Sequence, residues 1–289
     1  MLHQPRLRPM LRPLALTVLA AMLIGAACQS EPDLSGRPTE ADEAVINVSR
    51  FKTGDGSETR LATLPVGTIY GDGRVIRPGP QLGIGVPPAL PSLQVTTLDS
   101  AGVDAVLAQA SEAGLVGADR ELRLPTEKDP TITAFDVFLD NQRLRTIVES
   151  LAEVAPDDPR LPPKGQAERA AMNAVVAMLT DPASSLAGNV VGEDVVYAPT
   201  AVRVLVSSAA DQEPSTGAPT VAEWPLAELA TIGEAIESAD GWRCVVVDGE
   251  DWTALRPVAA GADRATRWSS GGAEYTLRFR PLLPGESGC

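Results

Sequence analysis

Three pairs of β-prone runs, each joined at turn residues, confine much of this chain to antiparallel pairing. The first is Thr68-Ile-Tyr-Gly-Asp-Gly-Arg-Val-Ile76, where Asp72-Gly73 marks a hairpin. In the second, Thr131, Thr133, Phe135, Val137 and Leu139 alternate strictly up to Asp140-Asn141, and Leu144, Thr146 and Val148 continue beyond it. In the third, Thr266–Ser270 meets Ala273–Leu283 across Gly271-Gly272. There Tyr275, Leu277 and Phe279 share one face, and Glu274, Thr276, Arg278 and Arg280 the other. A period of two places one set against a core and the other toward solvent.

Shorter runs supply further strands at Val45–Val48, Leu93–Thr97, Val195–Ser207 (with Pro199 at a bulge or edge) and Cys244–Val247. Helices separate them. Asp99 or Ser100 caps a helix whose stripe is Val103, Val106, Leu107 and Ala110, and Gly114 stops it. Gln166–Thr180 is the clearest helix, with Met172, Val175, Val176 and Leu179 on one face and Pro182 ending it. A short helix is expected within Pro225–Ile236 and another between Asp251 and Ala260, where Pro257 either kinks it or lies in its first turn. Arg77–Pro91, rich in proline and glycine, reads as an extended surface loop.

These elements predict an α+β protein of two small domains, each an antiparallel sheet with packed helices, spanning 44–182 and 190–289. Pro182, Ser184, Ser185 and Gly188 mark the junction. All four tryptophans, at 224, 242, 252 and 268, lie in the later half, which favours two cores. Strand, capped helix and hairpin recur in order over 93–148 and 244–283. Divergent duplication and the common grammar of small α+β domains both account for that.

The leader is distinctive. Arg6, Arg8 and Arg12 precede the apolar run Leu14–Ala27, and small residues lead into Cys28. A basic region, a short apolar region and a small-residue cleavage site make a secretory signal over 1–27. A cysteine at that point predicts a bacterial lipoprotein, acylated on Cys28. The apolar run is too short to span a bilayer, which takes roughly 20 residues. Gln29–Glu43, polar and acidic, reads as a flexible tether over 28–43.

Charge and residue inventory exclude whole classes of chemistry. Net charge is −14, and −17 without the three leader arginines, so nucleic acid is no partner and membrane contact must come through lipid. His3, in the leader, is the one histidine. The mature chain therefore lacks Ser-His-Asp and Cys-His pairs and histidine-ligated metals. Carboxylate chemistry, a base among Lys52, Lys128 and Lys164, or an oxygen-ligated cation would remain.

With Cys28 acylated, Cys244 and Cys289 form a pair for a structural disulfide, pinning the end of the chain. Their distant spacing is unlike redox motifs. Gly79–Val86 lacks the lysine and helix start of a phosphate loop, so no nucleotide cofactor is expected. Asp248-Gly-Glu-Asp251 does not fit a calcium loop and suits a helix start instead. Asp55–Glu58 reads as a loop tip. Arg278 and Arg280 would dock an acidic partner or, the favoured reading, lie on a solvated sheet face. No cofactor, metal site or catalytic residue is assigned.

The chain resembles uncharacterised secreted lipoproteins of high-GC bacteria through Tyr70-Gly-Asp-Gly-Arg-Val-Ile76, the Asp99–Leu115 helix, and Tyr275-Thr-Leu-Arg-Phe-Arg-Pro-Leu-Leu-Pro284 leading to Cys289. That resemblance implies an exported architecture and no particular activity. Residues 45–180 are similar in element order to emfourin-type metalloprotease inhibitors, with Lys52-Thr-Gly-Asp-Gly56 standing where those proteins have a glycine pair. The sequence thus predicts a non-enzymatic, lipid-anchored, extracytoplasmic protein serving binding or envelope structure, with an unidentified protein or envelope partner. A protease-inhibitor-like module is the alternative, and a carboxylate-dependent hydrolase the second.

Overall fold

A computed structural model describes residues 36–80, 85–124, 128–211 and 220–289. Turn chemistry works as the sequence requires. Asp140 and Asn141 have φ of 51° and 57°, and Gly271 and Gly272 have 59° and 81°. Two consecutive positive φ values make the mirror-image turn that matches strand twist. The first hairpin closes through three residues, 71–73, with the Gly73 N–H donating to the Tyr70 carbonyl at 2.9 Å.

The elements run β1 (Ala44–Lys52), α1 (Ser57–Ala62), β2 (Gly67–Tyr70), β3 (Arg74–Pro78), β4 (Leu93–Thr97), α2 (Ser100–Glu112), β5 (Arg120–Leu122), β6 (Thr131–Leu139) and β7 (Gln142–Glu149). After them come α3 (Pro163–Thr180), α4 (Pro182–Ser185), β8 (Val195–Val196), β9 (Ala201–Ser208), β10 (Val221–Glu223), β11 (Glu234–Ala235), β12 (Trp242–Asp248), α5 (Gly249–Ala260), β13 (Arg267–Ser270) and β14 (Ala273–Pro281). Two sheets form, ordered β5-β7-β6-β1-β2-β3-β4-β8 and β10-β13-β14-β9-β12-β11. The α+β class with two sheets is as expected. Pairing is antiparallel except at β5–β7 and β10–β13, which are parallel.

Helices α2 and α3 cover one face of the first sheet, burying Val106, Leu107, Met172 and Leu179 against Ile46, Ile69, Phe135 and Val137. The Asp99 carboxylate accepts from the Gly102 N–H at 2.8 Å, and Gly114, at φ 68°, ends α2. The second core is aromatic. Trp268, fully buried, meets Trp224 edge-on at 6.0 Å and Phe279 at 5.3 Å. Trp252 of α5 joins that core and donates its Nε1–H to the Pro199 carbonyl at 2.8 Å.

Several expectations need correction. Val195–Ser207 is two strands, because β8 pairs with β4 in the first sheet while β9 is central to the second. Pro225–Ile236 forms no helix. The carbonyls of Leu229, Ala230 and Ile232 accept from the Arg243 guanidinium, which diverts them from helical bonding. Pro257 lies inside α5 near its end. Glu250 and Asp251 occupy the first turn of α5, but the Asp248 side chain makes no capping bond.

Two supposed linkers are tied down. The part of the tether over 36–43 lies against the first sheet: Arg37 pairs with Asp104 at 3.0 Å, the Gly36 carbonyl accepts from Asp140 N–H, and Arg74 donates to the Ala41 carbonyl. Within Arg77–Pro91, Ala89 is buried in the second core and Pro88 bridges to Asp263. Residues 87–89 of the latter segment therefore pack against the second sheet's core, and 81–84 of the expected loop lie outside the described residues. The recurring strand–helix–hairpin order does not recur in space. Strands β1, β2 and β3 separate β6 from β4 in the first sheet, whereas β9 alone separates β14 from β12 in the second.

The described residues all fall in one compact unit. Helix α1 bridges the sheets by leaning on β14 and β9. Arg203 of β9 donates to the Leu61 carbonyl at 3.0 Å, and Arg280 of β14 to that of Thr63 at 3.0 Å. Leu283 packs with Tyr70, Ile76, Leu93 and Val95 of the first sheet.

Candidate functional site

A cleft of about 780 Å³ opens where the sheets meet. Its walls are Thr59, Ala62, Thr63 and Leu64 at α1, Pro78 at the end of β3, Pro87, Ala89 and Pro91 of the Arg77–Pro91 segment, Arg264, and Thr276 to Phe279 of β14. That volume lies within the range of ordinary ligand sites. In a chain of net charge −14, both charged residues of the lining, among the described residues, are arginines.

The two arginines differ. Arg278 lies 4.6 Å over the Trp242 ring, donates to the Thr59 hydroxyl at 3.1 Å, and stands 3.8 Å from the Glu58 carboxylate. Its direction is thereby fixed. Arg264 is exposed, and its guanidinium makes no hydrogen bond or ion pair among the described residues. Its backbone is held, with N–H donating to the Pro87 carbonyl at 2.9 Å. One cation is oriented and the other is unspent at the mouth.

Strand geometry adds a second property. β9 pairs with β14 from Tyr275 to Pro281, but β13 pairs with it only from Ala273 to Thr276. Beyond Thr276, β14 has a partner strand on one side only. The Leu282 N–H donates to the carbonyl of Ala201, the first residue of β9, so alternation turns Phe279 N–H and C=O the other way, into the cleft. Neither group has a partner among the described residues, although Phe279 is buried.

Behind the cleft the chain end is firmly tied. Cys244 and Cys289 are disulfide-bonded, with Cα atoms 5.9 Å apart. Arg280 holds Glu286, and Arg203 donates twice to the Gly288 carbonyl. Burial raises the Glu286 pKa, but the Arg280 hydrogen bonds and charge, the Leu283 N–H and Arg203 outweigh it and hold the carboxyl below its usual range. Burial also pushes the neighbouring Tyr70 phenol far above its usual range.

Arg280 thus does not lie on a solvated sheet face, while the Arg278 side chain stays 38% exposed. Arg280 is buried under α1 and the tail, and Arg278 lines the cleft. Asp55–Glu58 is not simply a loop tip, since Glu58 lies half-buried in α1 beside Arg278. Cys28 lies outside the described residues. A smaller depression over the disulfide carries Glu234 and Glu237, both exposed. Among the described residues no group of three or more histidine, cysteine, aspartate or glutamate side chains is placed to hold a metal ion, and no helix is long and apolar enough to cross a membrane.

Reading single segments could not reveal the cleft. Thr59, Ala89, Arg264 and Phe279 come from four separate stretches, and what unites them is the early end of β13. No family model, curated protein or solved structure matches the chain.

Proposed function

We propose that this chain is a lipid-anchored, extracytoplasmic binding protein whose ligand enters the cleft between the sheets. The carrying observation is the cleft's charge. Among the described residues arginine alone supplies it, in an acidic protein, and Arg264 there has no internal partner. Apolar walls favour a ligand with an apolar body, and Arg264 favours a negative group at the mouth. The leader ending at Cys28 supplies the membrane anchor in this reading. It would hold the protein at a surface that its net charge otherwise avoids.

Hexanoate, an anion with a short apolar chain, is a direct probe. Titrating it against the purified chain should move the amide signals of Thr63, Leu277 and Phe279 saturably. Hexanol, lacking the charge, should bind more weakly. Shifts that never saturate, or that scatter over the surface, would refute a binding cleft.

A further inference from the structure

We infer that the cleft accepts an extended peptide segment of a partner protein, which adds to β14 as a strand where β13 leaves off. The inference rests on the binding reading above and names its ligand class. Its main support is the Phe279 N–H and C=O inside the cleft, which have no partner among the described residues. Buried backbone groups are nearly always paired, so a donor and an acceptor turned together into an open cleft specify a complementary backbone. Main-chain bonding to a free sheet edge is a general mode of peptide capture.

The surroundings favour a strand over a compact ligand. β14 is held straight by β9 along the whole open stretch, so the edge is preformed. Pro281, just beyond, offers no N–H and ends the usable edge. An added strand would send alternate side chains toward Thr59 and Thr63 on one side and Pro87 and Ala89 on the other. Small or β-branched residues suit those walls. Arg264 at the mouth selects a segment bearing a carboxylate.

The test uses the purified chain and a pool of capped hexapeptides in which valine and threonine alternate and one position is aspartate. The pool should bind and protect the Phe279 amide from hydrogen exchange. Replacing aspartate by asparagine should weaken binding roughly fivefold, the scale of one exposed ion pair. Methylating the backbone nitrogens of alternate residues should weaken it roughly tenfold in the set that faces β14, and far less in the set that faces away. Equal affinity for both methylated sets, or a Phe279 amide unprotected by bound peptide, would overturn strand addition. Hexanoate binding without any peptide binding would overturn this inference and leave the binding reading standing. Binding of neither would overturn both.

Discussion

Arg280 holds both carboxylate oxygens of Glu286, at 2.6 and 2.7 Å, while its Nε–H donates to the Thr63 carbonyl at 3.0 Å. One guanidinium therefore joins the last strand, the tail beyond it and the exit of α1. The Arg280 side chain is 7% exposed and that of Glu286 31%. Paired, two-pronged bonds of this kind are the strong ones. The back of the cleft depends on this joint, because Thr63 lines it.

Glu286→Gln should destabilise the protein by about 1.5–3 kcal/mol, the scale of a hydrogen bond to a charged group. The glutamate pKa is depressed in the folded protein, so its stabilisation is present above the ordinary glutamate range. It is lost as pH falls through the native value. Denaturant unfolding of both proteins at a series of pH values checks this. The gap should be full at pH 7 and close in acid. A constant gap would show that the carboxylate charge is not what stabilises the joint.

Cys244→Ser should cost about 2–4 kcal/mol, given the 45-residue separation of the bonded cysteines. Melting with and without reductant should give the unmodified chain two temperatures and the variant one. The variant should match the reduced protein. An unmodified chain indifferent to reductant would contradict a stabilising bond.

The hairpins and the α2 and α3 faces are legible locally because each rests on chemistry within a few residues, whereas the cysteine pair, 45 residues apart, is legible only by count once Cys28 is set aside. Asp140-Asn141 must turn, and Asp99 must cap. The segment Pro225–Ile236 reads wrongly because its carbonyls are claimed by Arg243, which is non-local. Arg280 reads as solvated for the same kind of reason. Its alternation is correct, but α1 and the tail cover that face. The cleft depends on where one strand stops beside another, and neither periodicity nor composition carries that information.

Gly73→Ala and Gly272→Ala should separate steric from conformational cost. Both glycines have positive φ, 87° and 81°. A methyl at Gly73 would stand 2.3 Å from the Leu98 carbonyl oxygen, whereas at Gly272 it would meet open space. Gly272→Ala should cost about 1–2 kcal/mol, the price of left-handed backbone. Gly73→Ala should cost clearly more, because backbone must move. Equal costs by denaturant titration would contradict the close approach of the Leu98 backbone, just beyond β4.

Cys28→Ser should release the protein from membranes or stall leader processing, as the leader pattern predicts. Fractionation of expressing cells measures it. A serine variant that stays on the membrane as firmly as the unmodified chain would remove lipidation from the account.

The central claim, a cleft that selects an apolar anion, is met most directly by titrating hexanoate against the unmodified chain and Arg264→Glu. The Arg264 side chain is exposed and bonds to nothing among the described residues, so the variant should keep its melting temperature. Reversing its charge removes an attraction worth about 1 kcal/mol and adds a repulsion, so affinity should fall at least about fivefold. Hexanoate that binds a folded Arg264→Glu variant as tightly as the unmodified chain would contradict the claim.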